Sequence, residues 1–186
     1  LPFDPKPFIM KIPTILSNTT SSVILDIKEE NWAITAGKRA KLGPVLYLNL
    51  ASPESVHFNP LFEIRKGIHE VEDAQSIVTM LLDPEGKGFS HDHWRQSAFD
   101  LLVGLIIHVL YADIPKLKSL SGVLSLISRT DKPIDDTLHE ILTYPHFKGE
   151  DGQMKTHKNV AEPIRSLLNK EPAERTGVIS SVTACL

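Results

Sequence analysis

Cysteine is almost absent from this sequence of 186 residues, which contains only Cys185. A single thiol cannot form an internal disulfide, so a disulfide-stabilised fold is excluded and a reducing compartment is favoured. Cys185 lies in an apolar helical pattern, which predicts a core thiol rather than a nucleophile. The sequence also has no G-x-S-x-G element, so hydrolases that depend on that turn are disfavoured.

Long apolar segments and a secretory leader are missing as well. The longest uncharged apolar run, 101–112, includes His108 and is too short to span a bilayer. Residues 1–7 contain three prolines and have neither the basic nor the apolar region of a signal peptide. The chain starts without Met and stops in an apolar helical pattern, so we expect a fragment of a longer protein.

No strong excess of charge is present. The net charge is −3, with 41% hydrophobic and 23% charged residues, as in ordinary soluble globular proteins. Bulk electrostatics therefore do not require a nucleic-acid partner. The basic residues form small clusters diluted by acids, and we expect solvated surface at each of them: Lys38, Arg39 and Lys41; Lys116 and Lys118; Lys155 and Lys158.

The first third of the chain has an α/β pattern. Residues 22–27 contain the apolar run Val23 to Leu25, which predicts a buried strand, and residues 45–50 predict a second. A helix is predicted between them over 29–42, so the three elements form a parallel, right-handed βαβ unit. Before it, residues 8–17 have helical spacing, in which Pro13 must either lie in the first turn or kink the helix.

Beyond residue 65 the apolar spacing is helical throughout. The strongest pattern is 93–111, which is apolar almost all round from Ala98 and predicts the central helix of a bundle. Residues 147–159 are polar and contain glycine, which predicts an exposed loop. Further helices are predicted at 71–82, 117–127, 134–142, 160–170 and 175–186.

Asp26 and Lys28 are the candidate binding residues. They lie two apart at the end of the first predicted strand, so both can project to one face. The carboxyl ends of parallel strands are where open α/β folds bind ligands, which makes the pair a candidate nucleotide-site or subunit-interface edge. Glu29 and Glu30 follow at a helix N-terminus, so a capped, solvated helix start explains the same cluster and is the commoner arrangement.

Two kinds of binding site lack their sequence signature. A phosphate-binding loop needs the motif G-x-x-x-x-G-K-[ST] between a strand and a helix, and residues 1–186 do not contain this motif. We therefore expect no ATP-phosphate binding by this chain alone. The run His91-Asp92-His93, with His57 and His69 elsewhere, has no HExxH pattern or evident third ligand. We therefore predict a polar helix N-terminus there and no metal site.

Several collinear blocks resemble the TraG-like coupling proteins of type IV secretion and conjugation. The first is SVILDIKEENWAITAGKR at 22–39, and the second is HFNPLFEIR at 57–65. The resemblance covers roughly residues 12–186, in order. Four later blocks complete it: EVEDAQSIVTMLLDPEGKG (70–88), DHWRQSAFDLLVGLIIHVLY (92–111), LTYPHF (142–147) and LLNKEPAERTGVIS (167–180).

This resemblance implies a fold class and a domain order. Members are P-loop ATPases of RecA-like fold with an all-alpha domain inserted in the nucleotide-binding domain. The chain would therefore be a predominantly helical piece, an α/β fragment followed by an all-α domain. Residues 1–65 would be a partial nucleotide-binding domain without its P-loop, 66–175 the all-alpha domain, and 176–186 the start of the return to the ATPase domain.

The resemblance also implies partners and a location. Members work as hexamers anchored in the bacterial inner membrane, with ATP and Mg²⁺ as cofactors, and the anchor lies outside this chain. On their cytoplasmic side they deliver relaxase-bound DNA or secreted effector proteins to the secretion channel. The all-alpha domain is implicated in cargo recognition, and we expect contacts from the loops at 84–91 and 147–159, with Trp94 and 98–110 in the core.

The sequence departs from the family at two points. No glycine-rich loop precedes residue 12, and Glu29 stands where the family usually has glycine after Asp-x-Lys. The chain alone is therefore expected to be inactive as an ATPase and to hold no cofactor. Two alternatives stay open: a nucleotide-binding enzyme fragment with residual ATP contacts through Asp26 and Lys28, or a non-functional truncated remnant.

Overall fold

The computed structural model describes residues 11–88, 93–112, 114 and 117–186. The chain divides into two compact units, one ending at Phe58 and the other beginning at Asn59. The domain boundary near residue 65, inferred from the change in periodicity, stays a prediction.

The first unit contains two short helices. Helix α1 spans Ile12–Ser17 with a proline in its first turn, as expected for Pro13, where the missing N–H costs no hydrogen bond. Helix α2 spans Glu30–Arg39 and packs against α1. The Arg39 guanidinium donates to the carbonyl oxygens of Asn18 and Thr20, which ties the end of α2 to the turn after α1.

The two strands predicted in this unit are not paired. Residues 22–27 and 45–50 belong to no sheet in the described chain, so the predicted βαβ unit is not formed. Leu25 is 86% exposed and Leu50 is 97% exposed. A strand is stable only when its backbone finds a partner and its apolar face a cover, and the described residues supply neither for these segments.

The second unit is helical, as the sequence predicts. Helix α3 spans Glu70–Leu82, α4 His93–Tyr111, α5 Leu120–Ile127, α6 Ile134–Thr143, α7 Lys158–Leu168 and α8 Pro172–Cys185. A short 3-10 helix, Pro60–Glu63, precedes them. The Ser119 hydroxyl accepts from the Gly122 N–H at 3.0 Å and caps α5, as its position suggests.

Helix α4 is the central element of this unit. It packs against α3, α5, α7 and α8, and residues 101–110 are all buried. The nearly continuous apolar sequence is therefore explained by neighbours on every side. Trp94, predicted to be core, is instead 44% exposed and lies over Gly177 of α8, because the apolar sequence of α4 starts only one turn later.

A small hairpin replaces part of the loop predicted at 147–159. Strands β1 (Phe147–Lys148) and β2 (Met154–Lys155) pair antiparallel, with Phe147 opposite Lys155. Gly152 turns the chain between them at φ 77°, a conformation that favours glycine. Helix α7 then starts at Lys158, earlier than the apolar spacing suggested.

The described helices include none long and apolar enough to cross a membrane.

Candidate functional site

The Asp26 side chain accepts hydrogen bonds at the N-terminus of α2, in which Glu29 occupies the N-cap position. Its Oδ2 accepts from the Trp32 backbone N–H at 2.8 Å, and its Oδ1 accepts from Asn31 Nδ2 at 3.0 Å. A carboxylate in this position satisfies an otherwise unpaired helix N–H and interacts favourably with the helix dipole. Lys28 is exposed nearby. The assignment of both residues to a nucleotide site stays a prediction. The local contacts of Asp26 are those expected of a capped helix start, which is the alternative explanation given by the sequence.

Glu29 adds a cluster that the sequence reasoning missed. Its backbone is left-handed, with φ 61°, and its Oε1 accepts from the Tyr47 hydroxyl at 2.7 Å and Asn49 Nδ2 at 2.6 Å. The Trp32 and Tyr47 rings stack at 4.6 Å. This explains why glycine is usual here in the family that the sequence resembles: the chain needs a conformation that costs an L-residue about 1–2 kcal/mol.

A buried polar network lies inside the second unit, and sequence reasoning missed it too. At its centre, the Glu70 side chain accepts from the Tyr111 hydroxyl at 2.6 Å and the Gly67 N–H at 2.9 Å. His157 Nε2 lies 3.0 Å from the other carboxylate oxygen. Glu70 is 4% exposed, and these three donors satisfy a group that would otherwise be costly to bury.

Two backbone groups determine the tautomers of the histidines in this network. The Asn159 N–H donates to His157 Nδ1, and the His157 N–H donates to His146 Nδ1, both at 3.2 Å. In the neutral form of each ring the proton is therefore on Nε2. His157 can then donate to Glu70, and His146 donates to His108 Nδ1 across 3.0 Å.

Burial shifts the titration of several members of the network. Burial lowers the pKa of His108 to about 4, and the neighbouring His146 ring acts in the same direction. Burial likewise lowers the pKa of His146 to about 4, with a further contribution from His157. Burial and the Glu70 carboxylate raise the pKa of Tyr111 to about 12. All three groups are therefore neutral at pH 7.

The network anchors both ends of the hairpin. His146 immediately precedes β1, and His157 follows β2 by two residues. Between them, Thr156 Oγ1 reaches the carbonyl oxygens of Leu142 (3.1 Å) and Tyr144 (3.0 Å). The hairpin is thus an exposed element whose two ends are held in the core. One sequence signal could have revealed this: His108 and Tyr111 are the two side chains with polar groups in the apolar run 101–112.

The remaining predicted features have ordinary surroundings. Some of the predicted features lie outside the described residues: His91, Asp92, Lys116 and part of the 84–91 loop. Among the residues that the structure describes, no group of three potential metal ligands occurs. Cys185 is half-buried against the core, and burial raises the pKa of its thiol. Two of the basic residues have acidic partners: Lys155 Nζ lies 2.7 Å from Asp151, and Lys158 Nζ lies 3.7 Å from Glu162.

Comparisons with known proteins agree with the resemblance seen in the sequence. Two Escherichia coli proteins called conjugal transfer protein TraG are 37% and 34% identical over 181 and 185 residues. Each alignment covers 94% of this chain and 28% of the relative, so the chain spans about a quarter of the length of either. No solved structure matches. Residues 6–186 match the family described as type IV secretory system conjugative DNA transfer, and the chain belongs to that family.

Proposed function

We propose that this chain is part of a conjugative coupling protein and that its helical unit recognises cargo for transfer. The cargo would be a relaxase, its bound DNA or a secreted effector protein, delivered by ATP hydrolysis in the intact hexamer to the secretion channel. Family membership and the similarity to two conjugal transfer proteins support the role in conjugation. The intact protein would act at the cytoplasmic face of the inner membrane, as the resemblance to coupling proteins implies.

One observation carries the cargo-binding proposal: the hairpin is exposed while its ends are held by the buried network. An element presented in this way loses little conformational freedom on binding, which favours recognition by a protruding loop. It also exposes apolar surface, since Met154 is 57% exposed and Phe147 37%. Exposed apolar side chains beside Lys148 and Lys155 suit a protein surface better than a bare polyanion.

The first unit would belong to the RecA-like nucleotide-binding domain. Its extended segments 22–27 and 45–50 expose apolar side chains and have no strand partners among the described residues. Both properties suit strands that complete a larger sheet. We propose that this sheet binds ATP and Mg²⁺ in the intact protein and that this chain alone does not.

The cargo proposal is tested by equilibrium binding of the full chain to a relaxase, DNA and an effector protein. We expect Met154→Ser to weaken cargo binding by roughly tenfold, the usual effect of removing an apolar contact at an interface. The matched control is Met80→Ser on α3, where the side chain is 65% exposed and distant from the hairpin in sequence. No binding to any cargo class at about 50 μM, or equal loss in both variants, would contradict the proposal.

Residual nucleotide binding through Asp26 and Lys28 is the alternative. The Asp26 carboxylate is already occupied by the α2 backbone and Asn31, which leaves Lys28 as the exposed charged group. Calorimetry with ATP and Mg²⁺ distinguishes the two. We expect no measurable heat of binding, whereas a signal that Lys28→Ala abolishes would establish the nucleotide-binding alternative.

A further inference from the structure

A groove of about 340 Å³ lies between α3, α4 and α7, and its lining residues do not include the hairpin. We name it the acceptor groove because most of its polar lining can accept hydrogen bonds. Its volume is at the lower end of the range for small-ligand pockets, so it suits one side chain or a small molecule. Its polar lining includes Gln75, Ser97, Asp100, Asn159, Glu162 and Ser166.

Asp100 is the main charged group of the acceptor groove. Its Oδ1 accepts from Gln96 Nε2 at 3.1 Å, and the described side chains offer it no ion pair. Partial burial raises the pKa of this carboxyl, with the Gln96 hydrogen bond acting in the opposite direction. The Asp100 side chain is solvent-exposed, so its carboxylate is accessible to a ligand that brings a cationic group.

Pro163 adds a backbone acceptor to the same wall. It lies inside α7 and has no N–H, so the Asn159 carbonyl lacks the donor four residues later that a regular helix supplies. Both residues line the acceptor groove. Gly104 permits this close approach of α4 and α7, because a Cβ there would lie 3.0 Å from the Asn159 oxygen. The carbonyl oxygen is therefore held close to Gly104, which lies one turn along α4 from Asp100.

The charges at the rim do not cancel this acceptor character. Lys170 lines the groove, but its ammonium group is hydrogen-bonded to Glu174 and lies 3.1 Å from His93 Nε2. Glu162 has only a 3.7 Å contact with Lys158, and both side chains are largely exposed. Such surface pairs contribute little and are easily exchanged. Glu162 can thus turn to a ligand bound in the groove.

We propose that the acceptor groove binds the guanidinium group of an arginine presented by a polypeptide partner. A guanidinium carries five donors in a planar fork, which matches two carboxylates, a backbone carbonyl and hydroxyls on different walls. A lysine ammonium would engage fewer of them at once. The proposal rests on the proposed function in one respect: the arginine would come from a protein cargo of the helical unit.

The test uses the full chain and two blocked tripeptides, acetyl-Gly-Arg-Gly-amide and its citrulline analogue. Citrulline has nearly the same shape and no charge, so it isolates the guanidinium. Backbone amide chemical shifts are followed while each peptide is added to about 20 mM, since one side chain alone binds weakly. We expect the arginine peptide to shift amides around Ser97, Asp100 and Glu162 and to bind at least about fivefold more tightly than citrulline.

Three variants make the result specific. Asp100→Asn should weaken binding about tenfold, whereas Asp136→Asn, the same change at an exposed site on α6, should leave it within twofold. Ser166→Arg should occupy the groove with a tethered guanidinium and abolish peptide binding. Equal binding of both peptides, shifts confined to other surfaces, or retained affinity in Asp100→Asn would overturn the proposal. Because no cargo is present, these outcomes are independent of the cargo-binding test.

Discussion

His108 and His146 show how single residues respond to burial in this protein. Each ring is 6% exposed, and the pKa of each is lowered to about 4 from an ordinary value of 6.5. The unfolded chain therefore binds more protons than the folded chain between about pH 4 and pH 6.5. The free energy of unfolding consequently rises with pH across this window. The contribution is fully present above it and is lost as the pH falls.

We predict that His108→Gln reduces this pH dependence. Each histidine contributes at most about 1.4 kcal/mol per pH unit to the slope of the unfolding free energy, so the variant should lose up to that amount. Urea unfolding followed by circular dichroism between about pH 4.5 and pH 7 measures the slope. The exposed His139→Gln on α6 is the control and should keep the parental slope. An unchanged slope in His108→Gln would show that this ring does not titrate as described.

Individual residues differ in how far their surroundings could be predicted. Asp26 was predicted at the end of a strand, with a capped helix start as the alternative explanation; the strand is unpaired in the described chain, whereas the cap on α2 forms because it depends on nearby residues. The network around Glu70 could not be predicted in this way. Its members are separated by up to 87 positions in the chain, as in the His157–Glu70 contact, and only the packing of α3 and α7 against α4 brings them together.

At the scale of elements, glycine has opposite roles in α2 and α4. Gly37 in α2 is exposed, and a Cβ there would meet nothing within 4 Å. Gly104 in α4 faces α7, where a Cβ would lie 3.0 Å from the Asn159 oxygen and 3.5 Å from Val160 Cα. Both neighbours are backbone atoms, so a methyl group can be accommodated only if the two helices move apart.

The same substitution is therefore expected to have opposite effects. Gly37→Ala should stabilise the first unit by about 0.5–1 kcal/mol, since alanine has the higher helix propensity. Gly104→Ala should destabilise the second by about 1–3 kcal/mol through overpacking. Urea unfolding reports the first through Trp32 in a Trp94→Phe background, and the second through Trp94 in a Trp32→Phe background. A stabilising Gly104→Ala would contradict the close packing of α4 on α7.

Helices were predicted more accurately than strands, for a physical reason. A helix satisfies its own backbone, so apolar spacing and caps suffice to locate α3, α4 and α5. A strand needs partners that can lie anywhere in the chain or outside it. The apolar runs at 22–27 and 45–50 are unpaired, while the polar segment at 147–155 forms β1 and β2 because its two strands are adjacent in sequence.

On the scale of the whole molecule, the two units differ in how well they cover their apolar residues. In the second unit α4 and its neighbours form a continuous buried core. In the first, Leu25 and Leu50 are almost fully exposed, and Ile27 and Leu46 are 86% and 74% exposed. Unpaired strand edges with apolar side chains are a recognised cause of association between chains.

We predict that the isolated chain self-associates through the extended segments of its first unit. Leu25→Lys combined with Leu50→Lys should shift it toward monomer, because charge on an edge strand opposes pairing. Met80→Lys, also at an exposed apolar position but in the helical unit, is the control and should leave association unchanged. Sedimentation velocity from about 5 to 100 μM measures the effect. A concentration-independent monomer for the parent chain would contradict this expectation.

The anchoring of the hairpin at both ends has an evolutionary consequence. His146 and His157 hold the ends of the segment, and the two residues before His157 add to this: the Lys155 carbonyl oxygen accepts from the His146 N–H at 2.9 Å, and Thr156 Oγ1 donates to the Leu142 and Tyr144 carbonyl oxygens. The described hydrogen bonds of residues 149–153 stay within the hairpin. The packing of the core therefore constrains the two ends more strongly than the residues between them. We expect related chains to differ more in the sequence and length of this hairpin than in the histidines that hold its ends.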